Sequence, residues 1–109
     1  IMSNDPNEYT EDSFENMHKV AVKNKFSFPY LYDESQEIAK KYGAVCTPDF
    51  FGYNEMLKLQ YRGRLDATRM TETGNDLKPD LLEAMIQISQ TGEGPTEQTP
   101  SVGCSIKWK

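Results

Sequence analysis

The sequence predicts one small α/β domain built on a mixed sheet. An amphipathic helical segment lies between two extended segments in the first third of the chain. Two alternating segments joined by a turn follow and form an antiparallel hairpin. A helix between two strands is typical of a βα crossover, and a further amphipathic helix after the hairpin can cover one face of the sheet.

Composition excludes two classes of partner. The chain has 109 residues, enough for one domain, with a net charge of -5 and a pI of about 4.8. An acidic surface argues against binding a nucleic-acid backbone, which needs a basic face. The mean hydropathy is -0.72, and no apolar run approaches the roughly 20 residues of a membrane span. No signal peptide is recognisable, so we expect a cytoplasmic protein with neither nucleic acid nor membrane as a partner.

The first half of the chain predicts a strand end and two helices. Residues 1–3 precede turn formers and are expected to end a strand. Thr10 is the predicted N-cap of the first helix. Residues 26–32 are expected to be extended. A second helix follows them, with Asp33 and Gln36 as its predicted capping box and Gly43 at its end. The inward positions are expected to be Phe14, Met17, Val20 and Ala21 in the first helix and Ile38, Ala39 and Tyr42 in the second.

The second half predicts the hairpin, one helix and a tail. Residues 50–53 and 57–61 are the expected strands, with Leu57, Leu59 and Tyr61 on the buried face. The last helix is expected to follow an N-cap at Asp76 and to end at Gly92. Its predicted apolar face consists of Leu81, Leu82, Met85, Ile86 and Ile88. We therefore divide the chain into a domain, residues 1–92, and a Pro/Gly-rich tail, residues 93–109, which carries Cys104 and Trp108.

The two cysteines leave several interpretations open. They are too few for a disulfide scaffold, and the one histidine, His18, is far from both and has no metal-site spacing, so no metal and no cofactor are expected. Cys46 is either a small buried apolar residue or an accessory thiol beside Pro48. Cys104 is either an incidental tail thiol or a resolving thiol that attacks a sulfenic acid or mixed disulfide. A disulfide between the two is a third possibility.

Three motifs carry a resemblance to a known family. In chain order they are "GAVCTPDFF", "YRGR" and "PSVGCSIKWK". Together they resemble redoxin proteins of the alkyl hydroperoxide reductase/thiol-specific antioxidant type, in the peroxiredoxin-like branch. The resemblance implies a thioredoxin-like fold with a cis peptide bond at Thr47-Pro48, a loop that faces a reactive thiol and a substrate. Because peroxide-reducing relatives use an arginine near the thiolate, Arg62 and Arg64 join Thr47 and Pro48 as candidate substrate-binding residues.

The chain also departs from this family. The reactive cysteine of such folds lies at the start of the first long helix, yet no Cys-x-x-Cys occurs here and no cysteine follows the Pro and Thr/Ser of a peroxidase motif. We therefore expect the C-terminal part of a thioredoxin-like fold, which lacks the N-terminal strands and first helix of that fold and is inactive by itself.

Two functions follow from the resemblance. The first is part of a thiol-dependent oxidoreductase, for thiol–disulfide exchange or peroxide reduction, whose partner is a small thiol, a peroxide or a thiol reductant protein. Cys104 would act as the resolving thiol and Cys46 as the accessory thiol, and a homodimer is compatible with this function. The alternative is a non-catalytic thioredoxin-like module that holds an extended peptide or partner at the Thr47-Pro48 edge.

Overall fold

The computed structural model describes residues 1–67 and 77–109. In chain order its elements are a 3-10 helix (Thr10–Asp12), α1 (Phe14–Lys23), α2 (Glu37–Tyr42), β1 (Cys46–Thr47), β2 (Phe50–Tyr53), β3 (Leu59–Gly63), α3 (Asp80–Thr91) and β4 (Cys104–Ser105). The protein is thus a small mixed α/β domain, as predicted. No helix within the described residues is both long and apolar enough to cross a membrane.

The chain forms two compact units. The first unit comprises Ile1–Val45 with Ser105–Lys109, and the second unit comprises Cys46–Cys104. The proposed division between a domain of residues 1–92 and a tail of residues 93–109 stays a prediction.

In the first unit, the start of the chain pairs with the extended segment that precedes α2. Met2 and Tyr32 form a parallel β-bridge. The Met2 amide donates to the Leu31 carbonyl at 2.8 Å, and the Asp33 amide donates to the Met2 carbonyl at 2.8 Å. Residues 1–3 are therefore extended, in agreement with the sequence.

The first helix begins later than predicted. Thr10 opens the 3-10 turn, and the N-cap of α1 is Ser13, whose hydroxyl accepts from the Asn16 amide at 3.2 Å. Of the predicted apolar face, Met17 is buried but Phe14 is 65% exposed. Only part of the predicted apolar face of α1 is therefore buried against other described residues.

The predicted capping box of α2 is wrong. Gln36 is the N-cap residue in a left-handed conformation, with φ of 64°, and its side chain makes no cap bond. Instead the Asp33 carboxylate accepts from the backbone amides of Ile38, at 3.3 Å, and Ala39, at 2.9 Å. Gly43 ends the helix with φ of 70°, as predicted. Ala39 is buried, whereas the other two predicted inward residues, Ile38 and Tyr42, are exposed.

In the second unit, β2 and β3 form the predicted antiparallel hairpin. Phe50 pairs with Gly63 and Gly52 with Tyr61, with an irregularity after Gly52. The predictions for Leu57 and Leu59 are wrong: Leu57 lies in the turn with φ of 60° and is 81% exposed, and Leu59 is 48% exposed, whereas Tyr61 is buried as predicted. The turn is two residues longer than expected and comprises residues 54–58. The Asn54 amide donates to the Lys58 carbonyl at 3.0 Å, so β3 begins only at Leu59.

Helix α3 packs on one face of the hairpin. It begins at Asp80 after Pro79, and the predicted cap Asp76 lies outside the described residues. Gly92 ends it with φ of 77°, as predicted. The core consists of Tyr61, Ala84 and Ile88, against which Phe50, Leu81 and Met85 pack. The predicted apolar positions Leu82 and Ile86 are exposed instead, because only one side of α3 contacts the hairpin.

The segment that follows α3 covers the outer edge of β3. The Gln98 side chain accepts from the Arg62 amide at 2.9 Å and donates to the Gln60 carbonyl at 2.8 Å, as a neighbouring strand would. The Arg64 amide donates to the Thr99 carbonyl at 3.0 Å. Residues 93–101 therefore satisfy edge groups that would otherwise be open to strand pairing.

Candidate thiol site

The Thr47-Pro48 loop and the Cys104 segment meet on one small sheet. Strand β1 is the hydrogen-bonded neighbour of β4. The Thr47 hydroxyl donates to the Cys104 carbonyl at 3.4 Å. The peptide bond between Thr47 and Pro48 is cis, as the resemblance implies. Residues separated by more than fifty positions in sequence are thus brought together.

Gly103 allows this close approach. A Cβ atom at this position would overlap the carbonyl oxygen of Thr47. Any other residue would therefore push the Cys104 segment away from the loop.

The two cysteines are both free thiols. Side chains alternate along a strand, so Cys46 points away from the face on which Thr47 lies. The Cys46 thiol instead donates to the Ser101 carbonyl at 3.8 Å. The structure therefore holds Cys46 in a contact of its own rather than in a disulfide with Cys104.

Cys46 and Cys104 differ in their surroundings. Cys46 is half-buried and Cys104 is exposed. Burial raises the pKa of the Cys46 thiol, and the Asp49 carboxylate raises it further, against an opposing effect of Arg62. Because the thiolate is the nucleophile, a raised pKa lowers the reactivity of Cys46 at neutral pH. Its environment favours a packing role, the first of the two interpretations given above.

The two candidate arginines belong to separate ion pairs. Arg62 lies 3.4 Å from the Asp49 carboxylate and stacks over the Phe51 ring, with 5.1 Å to the ring centroid. Arg64 bonds Asp80 through Nε at 2.8 Å and so joins the end of β3 to the start of α3. Arg62 therefore adjoins the loop that carries Pro48, whereas Arg64 contacts a different part of the unit. A substrate-binding role stays a prediction for both.

Sequence reasoning missed two polar residues of this site. The sequence indicates only a turn or strand-entry residue at Asp49 and does not single out Ser101 within "PSVGC". In the structure the Ser101 hydroxyl lies 2.9 Å from the Asp49 carboxylate, which is only 6% exposed. Their position beside Pro48 and Cys104 was the available signal, but their contact depends on the tertiary fold.

A metal-binding constellation is not apparent in residues 1–67 and 77–109. No three His, Cys, Asp or Glu side chains among them are grouped so as to hold a metal ion.

Comparisons with known proteins give a fold and no function. The chain matches no protein-family model and no curated protein. It is similar to the crystal structure of an uncharacterized conserved protein from Geobacillus kaustophilus, with 49% sequence identity and a TM-score of 0.85 over 98% of this chain and 57% of that chain. It is also similar to a hypothetical protein from Sinorhizobium meliloti 1021, with 40% identity and a TM-score of 0.85 over 98% of this chain and 58% of that chain. The chain therefore spans less than two thirds of the length of these proteins and shares their fold over nearly its whole length.

Proposed function

We propose that this chain is part of a thioredoxin-like, thiol-dependent oxidoreductase in which Cys104 exchanges disulfides beside the Thr47-Pro48 loop. The observation that carries the proposal is the contact of the Thr47 hydroxyl with the backbone carbonyl of Cys104, an exposed residue with a free thiol. The order of the second unit, a Thr-Pro loop, an antiparallel hairpin and a final helix, agrees with the thioredoxin-like fold that the motifs imply.

The reaction is an exchange that needs no further oxidant. The Cys104 thiolate attacks one sulfur of a disulfide R–S–S–R′, forms Cys104–S–S–R and releases R′–S⁻. Cys104 is oxidised to the mixed disulfide as the substrate disulfide is cleaved. The second thiol of a full cycle comes from a partner or another segment, because Cys46 faces away and has a raised pKa.

Exchange with oxidised glutathione tests the proposal. At pH 7.5 we expect the mixed disulfide to form on Cys104 at least about tenfold faster than on Cys46, because Cys46 is half-buried with its pKa raised. Mass spectrometry of the digested protein resolves the two sites, since they lie on different peptides. The matched control is a synthetic peptide of residues 99–109, which carries Cys104 without the fold.

Two results would contradict the proposal. One is a Cys104 rate in the folded chain no higher than in the peptide. The other is equal modification of Cys46 and Cys104.

The second candidate function is a non-catalytic module that binds an extended peptide or partner. The separate contacts of the two cysteines favour it, because the described residues hold no pair of thiols in one contact. The glutathione exchange discriminates the two functions, because the binding module predicts a Cys104 rate no higher than that of the peptide. Peroxide consumption with dithiothreitol tests what they share: we expect no turnover by the chain alone under either function. If the chain consumes peroxide and Cys46→Ser abolishes that turnover, both proposed functions are wrong, because each treats Cys46 as a packing residue.

A further inference from the structure

Three segments of the second unit contact the buried Asp49 carboxylate. It is 6% exposed, and its Oδ1 accepts from its own neighbour, the Phe50 amide, at 3.1 Å. The same oxygen lies 2.9 Å from the Ser101 hydroxyl, and Oδ2 lies 3.4 Å from Arg62 Nη2. The loop after Pro48, strand β3 and the segment before Cys104 therefore converge on one side chain.

Ser101 adds two further contacts. Its hydroxyl also lies 2.7 Å from the Gly63 carbonyl, so one proton is shared between two acceptors. Its carbonyl accepts from the Cys46 thiol. Ser101 is thus tied to β1 and to β3 as well as to Asp49.

The short segment from Ser101 to Cys104 is held at both ends. At one end the Ser101 hydroxyl bonds Asp49 and Gly63. At the other end Gly103 lies against the Thr47 carbonyl, and the Thr47 hydroxyl bonds the Cys104 carbonyl. Only Val102, which is 93% exposed, lies between these anchors. A segment of four residues fixed in this way has little freedom to rotate.

We propose that Ser101, paired with Asp49, is a positioning residue that holds Cys104 in one orientation beside the Thr47-Pro48 loop for disulfide exchange. The proposal rests on the proposed function, because it concerns the same thiol. It adds two residues that touch neither the disulfide nor the reacting sulfur and that act through the backbone of the Cys104 segment.

Orientation matters for exchange more than for alkylation. Both reactions are in-line displacements, but oxidised glutathione is bulky and can align its S–S bond with the thiol only where the surrounding surface leaves room, so a misplaced thiol loses exchange rate. Iodoacetamide is small and reaches an exposed thiol from many directions. A positioning residue should therefore affect exchange and spare alkylation, whereas a purely structural residue should affect both or neither.

The test uses the full chain and five variants. Ser101→Ala should slow exchange of Cys104 with oxidised glutathione by about tenfold and leave its alkylation by iodoacetamide within about twofold. Ser101→Thr keeps the hydroxyl and should restore exchange to within about twofold of the parent. Ser89→Ala, which removes an exposed α3 hydroxyl bonded to the Ile86 carbonyl, is the matched control and should change neither rate.

Asp49→Ala removes the other partner and covers the case in which Ser101→Ala does not fold. Like Ser101→Ala, it should slow exchange of Cys104 with oxidised glutathione by about tenfold and leave alkylation by iodoacetamide within about twofold. The double variant should slow exchange by less than the product of the two single effects, because the two substitutions share the Ser101–Asp49 contact.

The outcomes separate the two proposals. If the parent exchanges no faster than the peptide of residues 99–109, the proposed function fails and the positioning role fails with it. If the parent is faster than the peptide but Ser101→Ala and Asp49→Ala match the parent, the positioning role alone is overturned. Parallel loss of exchange and alkylation, without recovery in Ser101→Thr, would also overturn it.

Discussion

The two units of the chain bury different kinds of side chain. Among the described residues, the first unit buries the polar residues Ser3, Asn4, Asp5, Asp33 and Gln36 together with Met17, Ala39 and Ile106. The second unit buries Tyr61, Ala84 and Ile88, and its buried charged side chains include those of Asp49 and Asp80. The first unit thus depends on hydrogen bonds between segments, and the second on apolar packing of a helix against a hairpin.

The polar centre of the first unit is Gln36. Its amide nitrogen donates to the Ser3 carbonyl at 2.7 Å and to the Lys107 carbonyl at 2.8 Å, and its oxygen accepts from the Lys109 amide at 3.0 Å. One side chain therefore joins the start of the chain, α2 and the end of the chain. Within the described residues, no buried side-chain nitrogen or oxygen lacks a partner, so this centre is fully satisfied.

The two units should therefore lose stability in different ways when they are mutated. Apolar packing responds to changes of volume, and its loss is graded. A buried polar network responds to the loss of single atoms, because each orphaned group keeps its desolvation cost.

The largest effect is expected for Tyr61→Ala in the second unit. Tyr61 is 1% exposed and lies at the centre of the core, so we expect a loss of about 3–5 kcal/mol in the free energy of unfolding. Tyr61→Phe keeps the ring but removes the hydroxyl that donates to the Arg64 carbonyl at 2.6 Å, and should cost about 1–2 kcal/mol. Urea unfolding measures both. Equal costs for the two variants would mean that the hydroxyl, and not packing, dominates in this unit.

The next effect is expected for Gln36→Ala in the first unit. It leaves the Ser3 and Lys107 carbonyls and the Lys109 amide without this partner, and we expect a loss of about 2–3 kcal/mol. The matched control is Gln90→Ala at an exposed position of α3, which should be near neutral. If Gln36→Ala unfolds at the same urea concentration as Gln90→Ala, the contrast between the units is lost.

A smaller, pH-dependent effect is expected for Asp33→Asn. Burial alone would raise the pKa of Asp33, but hydrogen bonds from the Ala39 amide, the Ser3 hydroxyl and the Ile38 amide outweigh it and lower that pKa below its ordinary value of 3.8. A lowered pKa contributes stability that is complete above 3.8 and is lost as the pH falls through the folded-state value.

The parent should therefore exceed Asp33→Asn in stability by about 1–2 kcal/mol at pH 7, and the gap should narrow below pH 4. Thermal unfolding from pH 7 to pH 2.5 measures the gap. A gap that stays constant down to pH 2.5 would contradict the assignment of the lowered pKa to this network.

The smallest effect, and of opposite sign, is expected for Leu57→Gly in the second unit. Leu57 is 81% exposed in a left-handed conformation that disfavours side chains, so glycine should raise the free energy of unfolding by about 0.5 kcal/mol. Met56→Gly, at the neighbouring turn position with 72% exposure and no positive φ, is the control and should lower it. Destabilisation by both substitutions would mean that Leu57 packs on something in solution.

Local sequence signals predicted much of the fold. The hairpin and the glycine ends of α2 and α3 follow from side-chain alternation and from the positive φ that glycine tolerates, which act over a few residues. The cis bond at Thr47-Pro48 followed from a resemblance of motifs rather than from these rules.

The buried polar contacts could not be predicted in this way. Gln36 was assigned to a capping box, yet its side chain bonds carbonyls of Ser3 and Lys107, which lie 33 and 71 positions away. Asp49 meets Ser101 across 52 positions. Which polar groups are buried, and which partners satisfy them, depends on how distant segments pack.

The sequence by itself determined the kind of element at most positions and the three motifs, two of which carry the thiols. Only the tertiary structure decided that Cys46 contacts Ser101, that Cys104 lies beside Thr47, and that Asp49 joins their segments. The reason is physical: propensity and periodicity act between neighbours in the chain, whereas desolvation and hydrogen-bond satisfaction act between neighbours in space.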